Sequence, residues 1–63
     1  MVARATEFET MRVLHNLWAA NLITSVEVKH ILKKQYDLEL TALANGCIKA
    51  ESTDGTKKYS INQ

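Results

Sequence analysis

The sequence predicts a mainly α domain with a C-terminal β-hairpin, three helices followed by two strands, and three observations lead there. Thr6-Glu7-Phe8-Glu9 and Thr24-Ser25-Val26-Glu27 both have the capping-box pattern that opens a helix. Asp54-Gly55 lies between two runs of strand-forming residues, and this dipeptide suits a two-residue hairpin loop whose central residues take positive φ. Counting outward from that turn pairs Glu51 with Lys58, Ala50 with Tyr59 and Ile48 with Ile61. Apolar pairs then share one face and an opposite-charge pair lies on the other.

The first helix is expected from the Thr6 cap to about Asn21, with Glu7 and Glu9 where the helix dipole favours acids. At about 100° per residue, Phe8, Met11, Leu14, Trp18 and Leu22 fall on one side and form the packing face. Val13, Leu17 and Ala20 point the other way, a second apolar side that suits a partner copy of the same helix. Thr24 caps the second helix, and Ile23 can close on Val28 as a hydrophobic staple. Val28, Ile31 and Leu32 are its buried stripe, while Lys29, His30, Lys33 and Lys34 collect opposite. Asp37 is the expected cap of a short third helix through Leu38, Leu40, Leu43 and Ala44, with Gly46 as its left-handed stop. Leu38-Glu39-Leu40-Thr41 also reads as an alternating strand, and pattern alone leaves both open. The spacing of Leu40, Leu43 and Ala44 and the Asn45-Gly46 stop favour helix.

The 63 residues make one domain, with no proline, repeat or low-complexity tract to suggest a linker. A chain this short buries only about 60% of its unfolded surface, so its stability calls for a helper such as disulfides, metal or self-association. The lone Cys47 makes no internal disulfide, and with His15 and His30 it has no metal-ligand spacing. Self-association remains. The single cysteine, with no leader-like segment, suits a reducing cytoplasm, that of an infected host included. No run approaches the roughly 18 apolar residues of a membrane span. A net charge of +1 excludes a strongly basic nucleic-acid binder, so any such role depends on how the charge is distributed.

Helix, short extended Leu22-Ile23, helix, turn, helix and two-stranded wing resembles the winged helix-turn-helix superfamily. The likeness covers roughly residues 6–61 and is sharpest at Leu43, Gly46, Ile48, Asp54-Gly55, Lys57-Lys58, Tyr59 and Ile61. MarR-like and PadR-like regulators show a similar ending, and a domain of this size looks like the small regulators of phages, archaeal viruses and plasmids. The resemblance implies a dimeric transcription regulator that binds double-stranded DNA, with the third helix in the major groove and the wing on a neighbouring groove or phosphate. Carried onto this chain, Thr53, Thr56, Lys57 and Lys58 become wing contacts. Lys29, Lys33, Lys34 and Gln35 become phosphate contacts, and Thr41, Ala42 and Asn45 become base-facing.

The third helix departs from that pattern. Its exposed side carries Asp37 and Glu39 and lacks arginine and lysine, although arginine to guanine is the commonest specific base contact. The alternative is therefore a protein-interaction module that modulates a partner complex through the Val13, Leu17 and Ala20 face and the acidic third helix, with no DNA bound. Trp18 is expected in the core, Tyr36 in the interhelical turn, Tyr59 against Ala50, and Cys47 buried as a small hydrophobe. Catalysis is not expected: the chain has no paired-carboxylate motif, phosphate-cradling glycine loop or nucleophile–base spacing. No cofactor, metal or small-molecule substrate is expected either, since walls for a pocket of a few hundred cubic ångströms are lacking.

Overall fold

In the computed structural model, which describes residues 6–62, the chain runs α1 (Glu7–Ala19), α2 (Ser25–Tyr36), β1 (Leu38–Ala44), β2 (Cys47–Ser52) and β3 (Lys58–Asn62). The strands form an antiparallel sheet in the order β1-β2-β3, and both helices pack on one face of it. The fold is α+β, two helices on a three-stranded sheet, and this corrects the expected three helices plus wing.

Both helix starts form as expected. Thr6 Oγ1 accepts from the Glu9 N–H at 3.1 Å. At α2 the box closes both ways, Thr24 Oγ1 accepting from Glu27 N–H and Glu27 Oε1 accepting from Thr24 N–H, each at 3.2 Å. α1 stops at Ala19, short of Asn21, which takes a left-handed φ of 61°. Phe8 and Leu22, expected on its packing face, are exposed. The core is Met11 and Leu14 of α1, Val28 and Leu32 of α2, Leu38 of β1, and Ile48 and Ala50 of β2. Trp18, Tyr36, Tyr59 and Ile61 pack around its rim.

The third helix is replaced by β1, and each signal read as helical has another cause. Asp37 does not open a helix; it ends α2 in a left-handed conformation (φ 55°, ψ 37°), its N–H donating to Lys33 O at 3.0 Å. Tyr36 is therefore the last residue of α2 and not part of a turn. Asn45-Gly46 is the turn of a β1–β2 hairpin, with Ala44 paired to Cys47 and Gly46 at φ 83°. The spacing of Leu40 and Leu43 is strand alternation broken by a bulge. Leu40 pairs with Ala50 and Ala42 with Lys49, leaving Thr41 as the extra residue. That residue turns Leu43, rather than Ala42, toward the helices.

A two-turn helix has few internal bonds to offset its nucleation. As a strand the segment buries Leu38 and gives β2 a neighbour on each side, where a lone hairpin would be marginal.

The β2–β3 hairpin has the expected register, Glu51 with Lys58, Ala50 with Tyr59 and Ile48 with Ile61. Its turn differs in detail. Gly55 alone of the pair takes positive φ (76°), and Gly55 N–H donates to Ser52 O at 3.0 Å.

Candidate functional site

Three surface regions are candidates, two of them polar and one apolar. The first is the corner where the β2–β3 turn meets the end of α2, around an open recess of about 190 Å³. The Asp54 carboxylate organises the turn. Its Oδ1 accepts from Ser52 Oγ at 2.7 Å, Thr56 N–H at 3.0 Å and Thr56 Oγ1 at 2.7 Å. The Ser52 hydroxyl, then the Thr56 amide and hydroxyl, hold this carboxyl down to about 2, because each stabilises the ionised form. Thr53 Oγ1 donates to Asp37 Oδ2 at 3.2 Å, tying the turn to the α2 cap. Lys33 Nζ lies 3.2 Å from Asp37 and 3.8 Å from Glu39. Tyr59 O–H donates to Glu7 Oε2 at 2.9 Å. That bond lowers the Glu7 carboxyl, with Lys57 adding a smaller pull, and raises the Tyr59 phenol. The corner's hydroxyls are thus committed to carboxylates that shape the turn.

The second region is the sheet face turned away from the helices. Tyr59 and Ile61 point to the core, so Lys58, Ser60 and Asn62 point outward. By the strand register Glu39, Glu51 and Lys58 form one row across this face and Ala42, Lys49 and Ser60 the next. Lys49 and Lys58 border a shallow recess of about 200 Å³ with Thr41 and Ser60. Cys47 pairs with Ala44 and Asn62 at the end of the same face and is half-buried, rather than buried as a small hydrophobe.

The third is the outer side of α1. Val13 is 55% exposed and, with Glu9, Thr10 and Leu14, lines a mainly apolar recess of about 260 Å³. Leu17 is half-buried, and Ala20, past the last helical residue, is exposed.

The residues expected at phosphates do not gather on one surface. Lys29, Lys34 and Gln35 are exposed on α2, in the helical layer. Lys33 is shared between two carboxylates, and Thr53 and Thr56 are bonded within the corner. Lys57 lines the corner with Glu7 and Asp54, while Lys58 lies on the opposite face of the sheet. Thr41 is the bulge residue and Asn45 a turn residue, both exposed, so neither stands on a groove-reading helix.

His15, which helical period puts near the edge of the α1 packing face, is 4% exposed and braces the β1–β2 turn. Gly46 N–H donates to its Nε2 at 3.0 Å, and the Ala44 carbonyl lies 3.1 Å from the same nitrogen. The ring meets the turn in either tautomer, accepting from Gly46 or donating to Ala44. Its partners in the turn could be found only by knowing that Asn45-Gly46 is a hairpin turn. Among the described residues no group of three or more His, Cys, Asp or Glu side chains could hold a metal, and no helix is long and apolar enough to cross a membrane. Comparison of the chain with protein-family models, curated proteins and solved structures gave no match.

Proposed function

We propose that the chain is a non-enzymatic binding module that holds a partner polypeptide against the outer side of α1. The observation that carries this reading is the exposed Val13 in its apolar recess, on the side of the helix away from Met11. Leu17, one turn on from Val13, is half-buried, and Leu22 and Val26, 71% and 73% exposed, add apolar surface at the α1–α2 connection and the start of α2. A recess of this kind, with Glu9 at its rim, suits an apolar side chain of a partner. The expected DNA reading loses ground because its cations lie in two layers and Lys33 and Lys57 sit beside carboxylates.

A second reading keeps duplex DNA on the outer sheet face. It is favoured by one observation, the diagonal placing of Lys49 and Lys58 around a shallow recess that they share with Glu51 and Ser60. Capture from a lysate and titration with duplex, both on the full chain, separate the two. A polypeptide retained in about 1 M salt, where exposed charges are screened, and weakened at least about tenfold by Val13→Glu, supports the first reading. Duplex binding that falls by about 0.9 log units per log unit of salt for each neutralised phosphate, and that needs Lys49 and Lys58, replaces it. Retention of neither overturns both.

A further inference from the structure

The sheet has two unlike edges. β1 is interrupted by the Thr41 bulge and flanked by the Lys33–Glu39 pair, the devices that blunt an edge against pairing. β3 runs Lys58–Asn62 in unbroken register with β2, and among the described residues no strand covers its outer side.

The ladder fixes which backbone groups face outward. Ser52 N–H donates to Lys57 O at 2.9 Å, so Ser52 and Lys57 form a hydrogen-bonded pair. Hydrogen-bonded and open pairs alternate along an antiparallel ladder. Tyr59 and Ile61 therefore direct their backbone groups to β2, while Lys58, Ser60 and Asn62 direct theirs away from the sheet.

We propose that a second copy of this chain pairs on that edge, β3 against β3, antiparallel about a two-fold axis at Ser60, joining two sheets into one. The register complements itself. Ser60 exchanges both backbone bonds with Ser60 of the second copy, and Lys58 does so with Asn62. On the helix side Tyr59 stands opposite Ile61, an aromatic against a β-branched residue, a favoured cross-strand pair. Phe8, 44% exposed, stacks edge-on against Tyr59 with ring centroids 4.9 Å apart, placing apolar surface beside the seam. An axis at Lys58 would oppose two lysines and one at Asn62 would leave little strand to pair, while axes at Tyr59 or Ile61 would give up the Tyr59–Ile61 match, so the Ser60 register is favoured. The pairing supplies the self-association that so short a chain calls for. It is independent of the Val13 reading, and it uses a different surface from the expected Val13, Leu17 and Ala20 dimer face.

Sedimentation of the full chain across micromolar to millimolar concentration, with amide exchange, tests this. The expected result is a species of twice the chain mass, with slowed exchange at Ser60 that reverses on dilution. Ser60→Pro, on an edge whose N–H has no internal partner, should weaken the dimer at least about tenfold. Asn62→Lys, placing lysine opposite Lys58, should weaken it roughly fivefold, and Asn62→Glu should tighten it in low salt by a similar factor. Either Asn62 variant leaves the core untouched, so the test survives if the proline variant does not fold. A chain that stays monomeric at millimolar concentration overturns the proposal. So does a dimer indifferent to the Asn62 charge, or a slow Ser60 amide in the monomer.

Discussion

His15 shows how one side chain can tie together parts of the chain 31 positions apart, since its ring fills space under α1 while Nε2 meets the Ala44–Gly46 turn. Replacing it with alanine should remove a buried ring and the partner of the Gly46 N–H, lowering stability by about 2 to 3 kcal/mol. Urea unfolding should show a lower midpoint at unchanged m-value. Asp54 makes the opposite kind of contribution, exposed and electrostatic. Its carboxyl is lower in the folded chain than in an unfolded one, so the stabilisation is present above the ordinary aspartate range. It is lost as pH falls through about 2. Amide shifts of Thr56 followed by NMR between pH 5 and pH 1.5 should titrate with that low midpoint, and Asp54→Asn should abolish the titration.

Among the elements, α1, α2 and the β2–β3 hairpin could be read from sequence because their signals are local. Thr6 and Thr24 stand at fixed spacing from Glu9 and Glu27, and the Asp54-Gly55 turn sets its own register. β1 could not be read that way. Asp37 and Asn45-Gly46 are residues that either open and end a helix or reverse the chain between other elements. Only packing against β2 decides which. The bulge then disguised the strand, since an inserted Thr41 converts a spacing of two into the spacing of three that suggests a helix. Deleting Thr41 should test this directly. With the extra residue gone, Leu40, Ala42 and Leu43 alternate regularly and keep Ala50, Lys49 and Ile48 as partners, so Leu43 still faces the helices. Thermal unfolding should then change by less than about 1 kcal/mol, whereas a loss of about 2 kcal/mol, the cost of exposing one leucine, would show that the bulge itself is required. Thr41→Ser should likewise be nearly neutral.

At the scale of the molecule, two layers divide the chemistry. The helical layer offers apolar surface at Val13, Leu22 and Val26, and the outer sheet face offers mixed charge with Lys49 and Lys58 among Glu39 and Glu51. The exposure of Val13 was visible in the sequence because helical period alone separates it from the core stripe, whereas Leu17 is half-buried and Ala20 lies past the end of α1. The dispersal of the lysines was not, because it depends on which face of β3 carries Lys58 and on the carboxylates that fold back against Lys33 and Lys57. Val13→Glu and a Lys49→Ala, Lys58→Ala pair therefore probe separate surfaces, and each should leave far-UV circular dichroism unchanged while altering one kind of binding.

The bond from Tyr59 O–H to Glu7 Oε2 joins the last strand to the first turn of the first helix. Tyr59 and Ile61 also pack against the core beneath α1. During synthesis α1 can pack on α2, β1 and β2 first, and its contacts with β3 form only once that strand has left the ribosomal exit tunnel. A nascent chain stalled before Lys58 should consequently be cut readily by protease, and one released past Asn62 should resist.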